Sequence, residues 1–194
     1  MVKLAITGGI GSGKSIVSHL LQVMRIPVYL TDDEAKRLTI EDAVIRNELS
    51  LLVGKEVYKS DGTLDRAWLS SYMFGSPERV RQVNSIIHPR VKDDFLRWVA
   101  QHNTPLIAME CAILYESGFD SLVDKVVVVS APLELRVNRA IRRDNAQEWQ
   151  IRQRMAHQLD DVDLCRKADY VVCNDGVLPL IPQVTGILHE LDIL

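Results

Sequence analysis

A short glycine-rich run near the amino terminus constrains this chain more than any other feature. Gly8-Gly9-Ile10-Gly11-Ser12-Gly13-Lys14-Ser15 fits the spacing G-x-x-x-x-G-K-[S/T]. Before it lies an apolar run, Val2–Ile6, that reads as a buried strand; after it, from Gly13 to about Met24, apolar residues recur at helical spacing. Strand, glycine loop and helix is the order in which such a run binds phosphate. The glycines let backbone N–H groups converge on an anion at the positive end of the helix dipole, while a lysine reaches the β- and γ-oxygens and a Ser or Thr hydroxyl ligates Mg²⁺. Average residue frequencies give a chance match in a chain of this length about one time in a hundred. The loop in this context predicts binding of a nucleoside triphosphate.

The remaining apolar runs predict the frame around the loop. Pro27–Leu30, Pro105–Glu110, Lys125–Ser130 and Asp169–Cys173 have strand length and join Val2–Ile6 to make five strands. Helical text separates them at Pro132–Arg142 and Gln147–Leu159, and Val177–Leu191 closes the chain as an amphipathic helix with Pro179 and Pro182 in or before its first turn. Strand alternating with helix predicts an α/β fold with a parallel sheet. From Glu41 to about Gln101 the text is helical, with breaks at Gly54, Asp61-Gly62, Gly75-Ser76-Pro77 and His88-Pro89, and this is the expected helical insertion.

Composition narrows the function classes. A length of 194 residues suits one domain with a small insertion, and 23 basic against 26 acidic side chains argues against a protein that holds nucleic acid across a basic face. The longest apolar runs, such as Val126–Val129, fall far short of the roughly 20 residues a membrane helix needs. The amino terminus turns into glycines before a secretory apolar region is complete, so a cytoplasmic address is expected. Cys111, Cys165 and Cys173 show no metal or redox spacing and read as reduced thiols.

The loop identifies the phosphate donor, and the acceptor has to be read elsewhere. Asp32 follows the strand ending at Leu30, at the edge where open α/β sheets bind ligands; there it is either a proton acceptor for an attacking hydroxyl or a helix N-cap. Glu110 ends an apolar strand, in place to orient a magnesium shell through water. Arg139 and Arg143 stand four apart on one helix face beside the polar stretch Asp144–Gln150, the pattern of a lid over phosphates or of a solvated basic face. His88 before Pro89 is a substrate contact or a turn residue. No Asn-Lys-x-Asp guanine reader occurs, which disfavours a regulatory GTPase.

Taken together these residues resemble the dephospho-CoA kinase family, nearly end to end. The resemblance is carried by Thr7–Ser15; by Asp32 with Ala35-Lys36; by Leu64-Asp65-Arg66 with Leu69 and Phe74; by Ile87-His88-Pro89; and by Glu110 with Leu114–Gly118. It continues through Arg139, Arg143, Arg154 and Gln158 to Ala168-Asp169-Tyr170 with Asn174 and Gly176. The chain departs from the family's pattern at Ile16, where Thr is usual, at Ala112-Ile113 for Pro-Leu, and at Leu30-Thr31-Asp32 for Asp-Ala-Asp. None of these removes a metal, phosphate or base group.

The resemblance implies a P-loop NTPase-type three-layer fold with a five-stranded parallel sheet, a helical substrate-binding insertion and a short lid. One kinase domain is then expected over residues 1–194, with its core at about 1–40 and 104–194, the acceptor-binding insertion at about 41–103 and the lid at about 139–158. The implied activity is ATP-dependent phosphorylation of the ribose 3′-hydroxyl of dephospho-CoA, the last step of coenzyme A synthesis, with Mg²⁺ and without nucleic acid, membrane or obligate protein partner. By the same resemblance Asp32 is the base, and Lys14 and Arg139 neutralise developing charge. Gly11, Ser12, Gly13, Lys14, Ser15, Ile16, Arg143 and Asn174 hold ATP, with Asn174 at the adenine, although an Asn-Asp-Gly run is also a plain turn. Ser15 holds the metal, and Asp32, Arg66, His88 and Glu110 contact the acceptor. Another small-molecule kinase, acting on a nucleoside monophosphate or a different alcohol, would share the loop and differ in what the insertion recognises.

Overall fold

In the computed structural model, which describes residues 1–194, the expected strands form at Val2–Thr7 (β1), Val28–Leu30 (β2), Leu106–Glu110 (β3), Lys125–Ser130 (β4) and Tyr170–Cys173 (β5). They make one sheet, all parallel, in the order β2-β3-β1-β4-β5. Nine α-helices follow the chain: Lys14–Val23 (α1), Thr31–Glu41 (α2), Ala43–Val53 (α3), Arg66–Met73 (α4), Pro77–Ala100 (α5), Leu133–Asp144 (α6), Glu148–Met155 (α7), Asp161–Lys167 (α8) and Leu180–Glu190 (α9). The chain divides into two compact units, Met1–Leu30 with His102–Leu194, and Thr31–Gln101.

The first unit holds the sheet. Its strands read as near-continuous aliphatic runs because a parallel sheet is buried on both faces. On one face Leu4 and Ile6 of β1, Leu106 and Ala108 of β3, Val127 and Val129 of β4 and Val172 of β5 meet Val17 and Leu21 of α1 and Val184, Ile187 and Leu188 of α9. The alternate residues Ala5, Ile107, Met109, Val126 and Val128 are buried too, and α8 packs on β4. The result is the three-layer α/β arrangement. β1 lies between β3 and β4, and the winding reverses there, so the carboxyl end of β1 is the switch point where such sheets take ligands. The glycine run begins at that end.

The second unit is helical. Leu38 of α2, Ile45 and Leu49 of α3, Leu69 of α4, and Val83, Val91 and Phe95 of α5 are among its buried side chains. It starts at Thr31, ahead of the boundary near 41, because α2 packs against α3 and α5. Asp42 joins two of its helices: it caps α3 by accepting from the amides of Val44 (2.9 Å) and Ile45 (3.1 Å), and it takes Arg90 Nη2 of α5 at 2.7 Å. Burial pushes the Asp42 carboxyl up, but Arg90 and the two capping amides together outweigh it and hold the group below the usual carboxylate range.

Local expectations change at a few places. The break expected at His88-Pro89 is absent, and α5 runs through it from Pro77 to Ala100. A proline inside a helix forfeits one ladder bond and costs about 3 kcal/mol. Here buried Val83 on one side and Val91 and Phe95 on the other hold the helix through the defect, so packing outweighs propensity and His88 is helical rather than a turn residue. α2 starts at Thr31, so Asp32 lies inside its first turn rather than capping it. Helix α7 stops at Met155, short of Leu159, and the additional helix α8 follows, with the Val162 amide on Asp160 Oδ1 at 2.7 Å as its cap. Seven residues are too few for a periodic apolar signal. α9 begins at Leu180, not Val177, because Asp175 Oδ1 takes the amides of Val177 and Leu178 in a turn, at 2.9 and 2.8 Å.

Candidate active site

The glycine run links β1 to α1 and is tied down from behind by side chains of later elements. Gly13 caps α1 with φ +98°, and a Cβ built on it would stand 2.1 Å from Asn174 Nδ2. Gly9 has no room for a different reason: its Cβ would stand 2.0 Å from Arg136 Nη2. Both close approaches come from groups that hold the loop's peptide units. Arg136, buried on α6, donates from Nε to the Ile10 carbonyl at 3.1 Å and pairs through Nη1 with Asp161, whose other oxygen accepts from Ser130 Oγ at 2.7 Å. Gln158 Oε1 accepts from the Ile10 amide at 2.8 Å, while its Nε2 donates to the Ala112 carbonyl at 3.0 Å. Asn174, after β5 and 6% exposed, donates from Nδ2 to the Ser12 carbonyl at 2.7 Å. Arg139 Nη1 donates in turn to the Asn174 carbonyl at 3.0 Å.

This bracing leaves a defined set of donors. The amide of Ser12 turns back to the Gly9 carbonyl at 3.1 Å, and that of Ile10 goes to Gln158. The amides of Gly11, Gly13 and Ser15 donate to no group of the protein. They stand at the amino-terminal end of α1, where the helix dipole favours an anion. Lys14 Nζ reaches back to the carbonyls of Gly8 (2.7 Å) and Gly9 (3.2 Å), which sets an ammonium against the start of the loop. Ser15 and Ile16, in the first turn of α1, are exposed.

Glu110 ends β3 in register with Ile6 of β1, two residues before Gly8, and is half-buried. No three His, Cys, Asp or Glu side chains converge on a point that could cage a cation. An exposed serine hydroxyl beside free loop amides, with a carboxylate at the neighbouring strand end, fits Mg²⁺, which keeps several waters and leans on phosphate oxygens.

The two arginines expected to act together have different surroundings. Arg139 is half-buried and committed to Asn174, whereas Arg143 is exposed and bonded through Nε to Asp144 Oδ1 at 2.7 Å. Asp144 also holds Arg154 Nη2 at 2.9 Å. In the second unit, Asp32 is the second residue of α2 and exposed, and Arg66 is the first residue of α4, behind its cap Asp65. His88 is half-buried in α5, where burial, and secondarily Lys92, push its pKa down.

The sequence profile of the dephospho-CoA kinase family matches residues 2–179. The chain belongs to that family. Dephospho-CoA kinase of Bacteroides fragilis is 53% identical over 188 residues, 96% of this chain and 91% of that protein. Dephospho-CoA kinase of Porphyromonas gingivalis is 43% identical over 190 residues, 97% of this chain and 94% of that one. A crystal structure of a Thermus thermophilus protein shares the fold with a TM-score of 0.85 at 29% identity, over 97% of each chain. The resemblance read from Thr7 to Gly176 therefore holds, and dephospho-CoA kinase membership makes the chain an ATP-dependent kinase, a transferase of coenzyme A biosynthesis.

Three residues that shape the loop of this dephospho-CoA kinase family member were not among the expected site residues. Arg136 stands in the sequence beside Arg139, Arg142 and Arg143, and it shares the buried stripe of α6 with Val137 and Ala140. An arginine on an apolar face was the available signal. Gln158 carried part of the resemblance but no role, and Asp161 had no sequence signal of its own.

Proposed function

We propose that the chain transfers the γ-phosphoryl group of ATP to the ribose 3′-hydroxyl of dephospho-CoA, giving coenzyme A and ADP, with Mg²⁺ as the required ion. The observation that carries the reading is the braced phosphate loop, whose unspent amides at Gly11, Gly13 and Ser15 lie beside Lys14, in a chain of this family. Gly11 to Ile16 would hold the triphosphate. Ser15 would ligate Mg²⁺, with Glu110 reaching its water shell; the ion, when bound, draws charge from the β- and γ-oxygens.

The 3′-oxygen attacks phosphorus as the bond to the β–γ bridging oxygen breaks, and ADP leaves with that electron pair. The hydroxyl proton passes to the Asp32 carboxylate, which also aligns the oxygen. Lys14, Arg139 and Arg143 offset charge that grows on the phosphoryl oxygens, and most of the rate enhancement is positioning of this kind. The helical unit Thr31–Gln101 would grip the acceptor, with Arg66 and His88 as its contacts, and residues 139–158 would act as the lid. A cytoplasmic enzyme working without a protein partner completes the reading; no helix is long and apolar enough to cross a membrane.

The test is purified protein with Mg-ATP and either dephospho-CoA or a panel of nucleoside monophosphates, scored for coenzyme A and ADP by chromatography. Coenzyme A formed from dephospho-CoA, with no transfer to the panel, is expected. ADP formed with another acceptor would overturn the acceptor and leave the donor site standing.

A further inference from the structure

We propose that Gln158 is a positioning residue that fixes the shape of the phosphate loop and couples it to α7, a role that rests on the nucleotide-binding reading above. Ile10 lies in the middle of the loop, and both of its peptide groups are held by side chains distant in sequence. Its carbonyl takes Arg136 Nε at 3.1 Å, and its amide gives to Gln158 Oε1 at 2.8 Å. The other end of the same side-chain amide gives to the Ala112 carbonyl at 3.0 Å, two residues beyond Glu110. Gln158 therefore bridges the loop and the segment that follows β3, using one acceptor and one donor.

Its own backbone continues from α7. The amide of His157 gives to the Arg154 carbonyl at 3.3 Å, that of Gln158 to the Met155 carbonyl at 3.0 Å, and that of Leu159 to Glu116 Oε1 at 2.9 Å. Movement of α7, which carries Arg152 and Arg154, must either carry the Ile10 peptide with it or break that bond. The Ile10 peptide is joined directly to Gly11, whose amide is one of those left for phosphate. Preorganised donors are worth most when their direction is fixed before the ligand arrives; the Gly11 amide shares its peptide plane with the Ile10 carbonyl that Arg136 holds, and the Gln158 bond holds the preceding peptide plane, so the two together fix its direction.

The chemistry of the bridge gives it a signature. An ionised carboxylate at position 158 keeps an acceptor for Ile10 but faces the Ala112 carbonyl with no donor; a protonated carboxyl regains one. Full-length Q158L and Q158E are titrated with ADP by calorimetry and assayed for kcat and KM of ATP and acceptor between pH 4 and 7, a window that spans the ordinary glutamate range. Q158L is expected to bind ADP about 10-fold more weakly, the consequence of leaving the half-buried Ile10 amide without its partner. Its kcat/KM for ATP should fall in proportion, with the acceptor KM unmoved. Q158E is expected to show a deficit relative to the wild type that narrows as the pH falls, while that of Q158L stays flat.

Wild-type ADP affinity in Q158L, a Q158E deficit independent of pH, or an effect confined to the acceptor KM would each overturn the proposal. If Q158L does not fold, the Q158E profile decides. The ADP titration needs no acceptor, so a wild type that binds ADP yet makes no coenzyme A would count against the acceptor reading alone.

Discussion

Asn174→Ala separates two jobs that the residue could perform, contact with adenine or support of the loop. In the structure its Nδ2 gives to the Ser12 carbonyl at 2.7 Å, and both groups are buried. Removing the amide leaves that carbonyl unpaired, which costs about 1–3 kcal/mol. If the bond defends the binding shape of the loop, the competent fraction falls by the same free energy and the apparent affinity falls with it. At about 1.4 kcal/mol per tenfold, the expected loss is roughly 5- to 150-fold. The loss should be common to every ligand held by the phosphates, so calorimetric titration with ADP, GDP and pyrophosphate should show similar weakening. Weakened ADP binding with pyrophosphate affinity intact would refute the bracing role and return Asn174 to the adenine.

Other expectations follow from the same geometry. Lys14→Ala should abolish transfer, whereas Asp32→Asn should keep ATP and acceptor binding and lose most turnover in a steady-state assay; near-normal turnover would remove Asp32 as the base. Asp42→Ala deletes the cap of α3 and should cost about 1–2 kcal/mol, read as a drop in midpoint of roughly 2–8 °C. Because the folded Asp42 pKa is lowered, its contribution is full above the unfolded value near 3.9 and is lost as pH falls through the lower folded value, so the gap between wild type and variant should close only below about pH 4. Pro89→Ala restores a ladder donor for the Ser85 carbonyl within α5 and should raise stability by about 1–2 kcal/mol in denaturant melts; a fall would mean that the proline shapes the helix.

The five strands were legible because burial on both sides leaves an unbroken aliphatic run, a signal that survives without any partner strand in view. The phosphate loop was legible because its chemistry admits few residue types. What supports the loop was not, since Arg136, Gln158, Asp161 and Asn174 act through contacts between residues more than a hundred positions apart or across turns that no local period encodes. Pro89 misled for the opposite reason: a strong local rule was overruled by the buried neighbours of α5, and those become visible only when the helices pack.

The motif G-x-x-x-x-G-K-[S/T] leaves its second position open, and by that pattern Gly9 could be anything. In this chain a methyl group there would stand 2.0 Å from Arg136 Nη2, so the guanidinium would have to leave its place. The space the pattern leaves open at position 9 is taken by a residue of α6, so the two positions are coupled through packing. A larger side chain at 9 displaces the Arg136 guanidinium, and that displacement would release both the Ile10 carbonyl and Asp161.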